Sequence, residues 1–585
     1  MHISKILIRL MLLTRSREQI SSISGEHWND RIDRLFDLLE ISCATDDEDL
    51  KRIPKTGPFI AISNHPFGGL EDLLLLSALS SIRPDIKFLP NPVLQEFGIP
   101  DHLFLEDSGY ESFTNSTNVS DQKIGSCSHL QNGGCLCIFP GGNLSSYNLN
   151  TEDTPDKRWR KSVLKGIRNS RVPVVPVFIK GTDNLPLHLS RLIYPTLKTS
   201  GAANRFLNNS QGAINARISN PISVKDQDEF CDIDRYSRYL RARTYALETS
   251  SDSKRFFTPA NELQPEIEKI ISPIPVQVLQ NEVDQLEDCC RVFEVAPFKV
   301  FCAPASAIPQ IIIEIGRLRE ITFRQVGEGT NKKVDLDEFD IYYRHLFIWD
   351  SEAQKIVGAY RIGMGREIFG EYGIKGFYIF SLYRISKGFH PIMNSAIELG
   401  RSFIISEYQK KPLSLFCLWK GILYFLLKHP EYRYLVGPVS LSSRFSDFSR
   451  SLMTEYITLH YFDNELAKFV KPRNAFKNKT MNVDAGIFLE GPKDLRKLDK
   501  HIRDVCFDEM GMPVLLKKYL GLNGKIVAFN LDAKFNDALD GLLVLDFTQI
   551  PKQVLVSLSK EIDEKYIDDR LKASPTYDDL VNIEI

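Results

Sequence analysis

The stretch FIAISNHPFGGLED, residues 59–72, decides the fold of the first half of the chain. Residues 59–62 are uniformly apolar, which predicts a short strand buried on both faces. Residues 64–69 form a loop by composition, and the apolar run at 73–79 starts a helix. A strand, a glycine-rich turn and a helix in this order are typical of an α/β layer fold.

The rest of the first half repeats this alternation. Residues 30–41 carry apolar side chains at helical spacing. Residues 135–139 predict a strand that breaks at Pro140-Gly141-Gly142. Residues 172–179 (VPVVPVFI) predict another strand, and its two prolines indicate an edge or irregular position.

The second half follows a polar, proline-containing stretch near residues 250–265. Strand-like runs return at 342–349, 356–362 and 376–383, and a long amphipathic helix is expected at 398–408. The chain is therefore predicted to be an α/β protein in four parts. These are amphipathic N-terminal helices at 1–44, a first domain at 45–250, a linker at 251–285, and a second domain at 286–585 with a C-terminal extension from about residue 470.

Composition limits the function classes. The chain has 585 residues, 43% hydrophobic and 25% charged, as in folded globular proteins. The formal net charge of −2 argues against a nucleic-acid partner bound through bulk positive charge. No segment approaches the roughly 18 apolar residues that span a bilayer. Residues 1–14, with Lys5 and Arg9 among apolar side chains, suit an amphipathic helix on a membrane surface or one that covers the first domain.

The ten cysteines show no disulfide rhythm, which suits a reducing cytoplasm. One cluster, Cys127, His129, Cys135 and Cys137, suggests zinc at first sight. It has C-x-C rather than paired C-x-x-C spacing, so we expect buried or incidental thiols and no metal site.

His65 is the first candidate catalytic residue, because it lies in the glycine-rich turn after the predicted strand. Glu71 and Asp72, six and seven residues later, begin the next helix. A carboxylate hydrogen-bonded to one ring nitrogen would leave the other as a general base for a hydroxyl. The alternative is structural: His65 caps a turn, and the two acids complement the helix N-terminus.

Three ordered blocks favour the catalytic alternative: Asn64-His65, Phe139-Pro140-Gly141-Gly142 and Val174-Val175-Pro176-Val177. Over residues 45–250 they resemble the lysophospholipid acyltransferase family. The resemblance implies that His65 is the base and that Asn64, Phe139, Pro140, Gly141 and Gly142 contribute to substrate binding. In that family an Asp follows the His after four residues. Here the loop is one residue longer, so Glu71 takes the acidic position, with Asp72 as its rival.

A second departure concerns the acceptor. Glycerophosphate acyltransferases usually read Phe-Pro-Glu-Gly-Thr-Arg-Ser, and this chain places Gly141 in the Glu position and Leu144 in the Arg position. Leucine cannot make the charge-assisted contacts that phosphate recognition favours. A phosphate-free lysolipid is therefore the expected acceptor.

The second half contains charged residues where a core is expected, among them Arg324, Asp337-x-x-Asp340, Gly358-x-x-Arg361 and Glu398-x-x-Arg401. Taken one at a time, they suit a solvated face with surface ion pairs. In this order they resemble the motifs of acyl-homoserine-lactone synthases. Over residues 290–470 the chain looks more like the hemolysin-type N-acyltransferases, which are distant relatives of the GNAT fold.

This resemblance implies that Glu398 is the base that acts on an amino acid's amine. Arg361 and Arg401 would hold carboxylates or the acidic cluster, and Asp337 and Asp340 would position the amine or organise Arg324. The usual GNAT pyrophosphate loop is not evident. An acyl carrier protein, whose phosphopantetheine carries the acyl thioester, is therefore the expected donor, with no bound cofactor. Its docking would need basic residues, and the candidates are Lys410, Lys411, Lys420, Lys428 and Arg433.

The two halves together resemble fused bifunctional ornithine-lipid synthases. This implies N-acylation of ornithine or glycine from 3-hydroxyacyl carrier protein, followed by O-acylation of the new hydroxyl. The enzyme would be peripheral on the inner face of the cytoplasmic membrane. Two alternatives stay open. One is a lysophospholipid acyltransferase with a non-catalytic second half, and the other is a non-enzymatic carrier-binding module at the membrane surface.

Overall fold

The computed structural model describes residues 28–38, 41–65, 70–89, 99–105, 128–141, 159–181, 212–250, 267–286, 288–478, 483–506, 510–558 and 562–572. The chain separates into two compact units. The first comprises Met1–Phe256 and Thr480–Met510, and the second Phe257–Lys479 and Gly511–Ile585. The structure thus places residues 480–510 with the first unit, whereas the sequence assigned all of 286–585 to the second domain.

The first unit is built on a mainly parallel sheet. Its described strands are β1 (Ile41–Thr45), β2 (Phe59–Ser63), β3 (Ile86–Phe88), β4 (Cys135–Ile138), β5 (Val174–Gly181) and β6 (Gly212–Ile218). They lie in the order β1-β6-β5-β2-β4-β3, and only β5 and β6 pair antiparallel. Buried apolar side chains of the strands pack with those of helix Leu70–Ser80 to form the core. The fully buried β2 confirms the strand predicted from its apolar run.

The proline-containing strand β5 does not lie at an edge, because it is between β6 and β2. The predicted irregularity is present, since beyond Val177 and Ile218 the pairing with β6 is reduced to an isolated bridge between Val174 and Ile222. Pro176 is tolerated there for a local reason. Pairing with β6 ends at Val177 and Ile218, so the missing N–H of Pro176 falls where that ladder has stopped. The carbonyl of Pro176 still accepts a hydrogen bond from the N–H of Ser219.

The described helices of the first unit are Trp28–Leu38, Asp47–Leu50, Leu70–Ser80, Ser128–Gln131, Lys161–Asn169, Val224–Asp228, Ile233–Tyr245, Gly486–Leu489 and Leu495–Val505. Of the amphipathic helices predicted at 1–44, residues 1–27 lie outside the described residues. Helix Trp28–Leu38 is present. The predicted end of that helix at residue 41 is instead the start of β1, which pairs with β6.

The late segment 483–506 packs on the first unit through both apolar and charged side chains. Leu498 and Ile502 on helix Leu495–Val505 are buried. Arg243 is buried and donates a 2.5 Å hydrogen bond to Asp504. Arg52 donates to the carbonyl of Cys506 at 3.1 Å. Buried charges need partners, so these contacts explain why the segment belongs to this unit.

The second unit contains an eight-stranded sheet in its described residues. The strands of this unit are β7 (Arg291–Val295), β8 (Phe298–Pro304), β9 (Arg344–Asp350), β10 (Lys355–Met364), β11 (Tyr383–Ile385), β12 (Ala396–Ile404), β13 (Tyr434–Leu441), β14 (Val470–Pro472), β15 (Lys525–Asp532) and β16 (Ala538–Asp546). The order in the large sheet is β15-β16-β13-β12-β10-β9-β8-β7, and β11 and β14 form a separate pair. Among the described strands of this unit, only β12 and β13 pair in parallel.

The parallel pair opens part-way along its length. Pairing runs from Ala396 with Tyr434 to Glu398 with Val436 and then stops, although both strands continue. Pro438 follows in β13 and has no N–H to donate to a ladder. On the other side, β12 carries an extra residue against β10 between Gly400 and Phe403. Arg401 lies in this bulge with φ +52°.

The helices of the second unit are Val276–Gln285, Pro309–Gln325, Phe339–Tyr342, Gly365–Tyr372, Ile379–Leu382, His390–Asn394, Ser406–Gln409, Pro412–Lys428, Asp447–Tyr461, Asn464–Ala467, Val514–Gly521, Lys552–Leu558 and Glu564–Lys572. Two predictions for this unit were wrong. The expected helix at 398–408 is mostly strand β12, and the expected strand at 376–383 is largely the short helix Ile379–Leu382. The predicted strands at 342–349 and 356–362 are confirmed as β9 and β10.

The α/β class predicted from the sequence is confirmed in both units. Among the residues that the structure describes, no helix is long and apolar enough to cross a membrane.

Candidate active sites

The first candidate site lies at the carboxyl ends of two neighbouring parallel strands. His65 follows β2 and Phe139 follows β4, and these strands pair directly. Carboxyl ends of parallel strands are where open α/β sheets place their ligands. The His65 ring meets the edge of the Phe139 ring at a centroid distance of 4.7 Å. Pro140 is buried and Gly141 half-buried beside them, and Gly142 lies outside the described residues.

His65 faces a carboxylate. Its Nε2 lies 3.5 Å from Oδ1 of Asp72, which is on helix Leu70–Ser80. His65 is 3% exposed and Asp72 is fully buried. Acids that merely complement a helix N-terminus at the surface would be solvated, whereas Asp72 is buried against the ring. The catalytic role of the pair stays a prediction. Of the two acids predicted to partner His65, the structure brings Asp72 to the ring, and the side chain of Glu71 lies outside the described residues.

Asn64 has a structural task in this arrangement. Its side-chain amide donates to the carbonyl of Ile179 at 2.8 Å and accepts from the N–H of Ile179 at 2.7 Å. The amide therefore continues the β2–β5 ladder by one step beyond Ser63. This pair of bonds fixes the point where the chain leaves the sheet, and with it the position of His65. The predicted substrate-binding role of Asn64 stays a prediction.

The cysteine cluster is divided by its surroundings. Cys135 and Cys137 are buried in β4, and burial raises the pKa of the Cys135 thiol to about 12. A ring nitrogen of His129 lies 3.1 Å from the carbonyl of Cys135, and Cys127 lies outside the described residues. Within the described part of the chain, no group of three or more His, Cys, Asp or Glu could hold a metal ion.

The second unit holds a buried lattice of alternating charges. Three arginines from a helix and two strands meet three aspartates of one loop and short helix: Arg319, Arg361 and Arg401 with Asp335, Asp337 and Asp340. Four of the six are buried, and the side chains of Arg401 and Asp337 keep 11% and 20% exposure. Charges in such a place persist only when they are paired, so the alternative of a solvated face does not hold here.

The contacts of the lattice are direct. Arg319 donates to Asp335 at 3.0 Å and to Asp340 at 2.8 Å. Arg361 donates to Asp337 at 2.5 Å, and Arg401 donates to the same carboxylate at 3.3 Å. Burial alone would raise the pKa of Asp340, but the arginines hold it well below its usual range. The arginines likewise hold the pKa of Asp335 below its usual range, so Asp335 and Asp340 are paired with arginines as carboxylates.

Arg324 does not take part in the lattice. It donates to Glu320 at 2.7 Å and to the carbonyl of Lys332, also at 2.7 Å. The suggestion that Asp337 and Asp340 organise Arg324 was therefore wrong, and Arg319, five residues earlier on the same helix, takes that place. Sequence reasoning missed Arg319 and Asp335 as site residues, although the charge density around 317–324 was the available signal.

The guanidinium groups of Arg361 and Arg401 lie against aromatic rings. The Arg361 guanidinium lies 5.3 Å from the ring centroids of both Tyr343 and Tyr378. Arg401 lies 5.5 Å from the Tyr378 ring and 4.3 Å from the Phe535 ring. Cation–π contacts of this kind strengthen when water is excluded. They fix Arg401 at the mouth of the opening between β12 and β13.

Glu398 lies where that opening begins, at the last paired residue of β12. It is 1% exposed. One oxygen accepts from the N–H of Ile379 at 2.8 Å, and the other accepts from the N–H of Tyr378 at 3.1 Å and from the Tyr343 hydroxyl. Burial raises the pKa of Glu398, and these donors offset part of the rise. Because both oxygens of Glu398 already accept hydrogen bonds, the geometry favours a positioning role for this residue. Its predicted role as the base stays a prediction.

Residues 318–420 match the acetyltransferase (GNAT) domain family. This range contains Arg319, Arg361, Glu398 and Arg401, so the match coincides with the charge lattice and the opening of the sheet. The chain is an acyltransferase. The GNAT-like nature predicted for the second half is confirmed.

Two curated relatives of this acyltransferase are glycine N(alpha)-acyltransferases. The protein of Phocaeicola vulgatus is 28% identical over 269 residues, 44% of this chain and 81% of the relative. That of Bacteroides thetaiotaomicron is 28% identical over 294 residues, 48% of this chain and 86% of the relative.

A solved structure also matches the acyltransferase: the 1-acyl-sn-glycerophosphate acyltransferase PlsC from Thermotoga maritima. It has 18% sequence identity and a TM-score of 0.23, and the match covers 40% of this chain and 83% of that one. A TM-score this low does not establish the fold of the first unit.

Proposed function

We propose that this acyltransferase makes a phosphorus-free aminolipid in two steps. The second unit transfers a 3-hydroxyacyl chain from acyl carrier protein to the amine of an amino acid. The first unit then esterifies the new hydroxyl with a second acyl chain. Glycine is the favoured acceptor, because both curated relatives are named for glycine, and ornithine is the alternative.

One observation carries the N-acylation step: the sheet opens between β12 and β13 directly beside Arg401. Strand edges that face an opening have backbone groups available to a ligand. The pantetheine arm of a carrier protein contains amides, and an extended arm of this kind pairs with such an edge as an added strand does. Arg401, an arginine held by aromatic rings and Asp337, is placed to meet the carboxylate of an amino acid.

The O-acylation step rests on His65 and Asp72. A buried carboxylate 3.5 Å from an imidazole nitrogen orients the ring and stabilises the charge that it gains as a base. His65 would take the proton of the lyso-lipid hydroxyl as that oxygen attacks a thioester. The product of the first step has no phosphate, which agrees with a leucine in the family's arginine position, residue 144.

The donor would dock on basic residues, and two of the five residues predicted for this role already have contacts within the protein. Lys420 is buried, with its ammonium 4.9 Å from the Phe293 ring centroid, and Arg433 pairs with Asp546 at 2.6 Å. Lys410, Lys411 and Lys428 are exposed and are the proposed contacts for an acidic carrier protein. Because the intermediate is amphiphilic, we place the enzyme peripherally on the inner face of the cytoplasmic membrane.

Lipid mass spectrometry of a host that expresses the chain tests both steps. The wild type should form a diacyl aminolipid, and His65→Ala should accumulate the mono-acyl N-acyl amino acid. His102→Ala, which changes an exposed histidine of the same unit, is the control and should match the wild type. Absence of any N-acyl amino acid from all three would reject the proposed function. A phospholipid as the only new product would favour a lysophospholipid acyltransferase.

A further inference from the structure

An aspartate that the motif resemblance does not assign lies one strand beyond the opening of the second sheet. Asp540 lies on β16 directly opposite Ser440 of β13, beyond the point where β13 leaves β12. The Ser440 hydroxyl donates a 2.6 Å hydrogen bond to Oδ1 of Asp540. Among the described residues, the carboxylate accepts no other hydrogen bond, so Oδ2 is available to a ligand. The residue is 3% exposed.

Charged groups from three neighbouring elements, together with the Ser440 hydroxyl, affect the pKa of Asp540. Burial raises its pKa to about 7, Asp532 on β15 and Glu328 after helix Pro309–Gln325 add to the rise, and Ser440 and Arg401 reduce it. Burial also raises the pKa of Glu328 to about 7. Nε of Arg401 is buried and has no hydrogen-bond partner in the described residues. An amino acid could donate or accept at both places: its carboxylate would accept a hydrogen bond from Nε of Arg401, and its ammonium would offset the negative charge of Asp540, Asp532 and Glu328.

Comparison with Glu398 decides between two candidate bases. Both oxygens of Glu398 already accept hydrogen bonds, three in all, whereas Asp540 accepts one. A general base needs an oxygen that can reach the proton it removes. On the proposed N-acylation, we infer that Asp540 is the catalytic base, which removes a proton from the ammonium of an amino acid held beside Arg401.

The Asp540 carboxylate takes one proton from the ammonium and becomes a carboxylic acid, which leaves a neutral amine. The amine nitrogen attacks the thioester carbonyl, so a C–N bond forms and the C–S bond breaks. The second nitrogen proton leaves with the pantetheine sulfur as a thiol. Asp540 then releases its proton to solvent, and the net products are an amide, a thiol and one proton.

Asp540→Asn tests the assignment, because asparagine keeps an acceptor for Ser440 and cannot take the proton. With purified full-length protein, 3-hydroxyacyl carrier protein and glycine, thiol release and N-acylglycine are measured from pH 5.5 to 9. In the wild type, kcat/KM should rise as pH passes about 7, the pKa of Asp540. The variant should be slower at pH 7 by about 10²–10⁴-fold and lack this limb. Asp546→Asn, on the same strand and paired with Arg433, should match the wild type.

Three results would overturn the assignment. The first is a variant with the wild-type rate, and the second is a slow variant that keeps the wild-type pH limb. The third is an unchanged pH limb in Ser440→Ala. This variant also tests the assignment if Asp540→Asn does not fold. The Ser440 hydrogen bond lowers the pKa of Asp540, so its loss must move the limb to higher pH, and no movement counts against the proposal. A wild type that acylates no amino acid would instead reject the proposed reaction as a whole.

Discussion

Replacing Glu398 by glutamine separates positioning from proton transfer, because the amide has nearly the shape of the carboxylate. The two carboxylate oxygens accept hydrogen bonds from the backbone N–H groups of Tyr378 and Ile379, one on each oxygen. The Tyr343 hydroxyl also donates to the carboxylate. Glutamine offers one oxygen and one NH₂ group. Whichever way it turns, the NH₂ must face a backbone N–H, so two donors are left opposite each other in a buried place.

The magnitude follows from these bonds. Loss of one charge-assisted hydrogen bond costs about 1.5–3 kcal/mol, and a buried donor left without an acceptor costs about 1–3 kcal/mol. Because burial raises the pKa of Glu398, the neutral amide recovers part of this by removing a buried charge. The net loss of local stability is therefore about 2–4 kcal/mol.

Hydrogen exchange measures this loss where it arises. A two-unit protein has no single unfolding free energy, but the amides of Tyr378 and Ile379 report local opening. At a factor of ten for each 1.36 kcal/mol, their exchange in Glu398→Gln should be faster by about 30–900-fold. Glu407→Gln, at an exposed ion pair with Lys355, should leave these amides unchanged. Unchanged exchange in Glu398→Gln together with lost N-acylation would refute the reasoning and make Glu398 the base.

Four further outcomes are expected. Asp72→Asn should slow O-acylation by about 10²–10⁴-fold, measured against unchanged N-acylation by the same protein. Arg319→Met removes the shortest ion pairs of the buried Asp335 and Asp340, which keep only the longer contacts of 3.6 Å to Arg401 and 3.4 Å to Arg361, and should destabilise the second unit by about 3 kcal/mol in thermal melts. Arg243→Gln should destabilise the first unit similarly, because Asp504 loses its partner, and a melt resolved by unit checks this. Since the pKa of Asp540 rises from 3.8 to about 7 on folding, its charge increasingly opposes folding as pH increases. The advantage of Asp540→Asn in melts should thus grow from pH 5 to 7 and level off above, at no more than ~4 kcal/mol.

The elements around His65 could be predicted from the sequence because each is set by local chemistry. An unbroken apolar run makes β2, glycines and prolines end β2 and β4, and the next apolar run makes the helix that carries Asp72. The choice between Glu71 and Asp72 depended on the rotation of that helix about its axis. Spacing alone does not fix this rotation.

The strand β12 could not be predicted in the same way, because Glu398 and Arg401 are three residues apart. That spacing places two side chains on one face of a helix and on opposite faces of a regular strand. The bulge at Arg401 adds a residue to β12 and changes this alternation, so that both side chains reach Tyr378. The one-residue bulge therefore made the three-residue spacing of Glu398 and Arg401 resemble that of side chains on one face of a helix.

The base inferred at Asp540 and the partner of Arg243 depend on pairings across long stretches of chain. Asp540 meets Ser440 100 residues away, and Arg243 meets Asp504 261 residues away. No motif or periodicity within either segment indicates such a partner. These contacts arise from the order of strands in a sheet and from the return of residues 480–510 to the first unit.

The return of residues 480–510 to the first unit delays folding of that unit during synthesis. During synthesis, residues 1–256 leave the ribosome long before residues 480–510, so Arg243 and Arg52 emerge without the partners that Asp504 and Cys506 provide. Arg52 is separated from Cys506 by 454 residues. The first unit therefore cannot finish folding until most of the second has been translated. A gene cut between the two units would yield an N-terminal product whose buried arginines are permanently short of their partners.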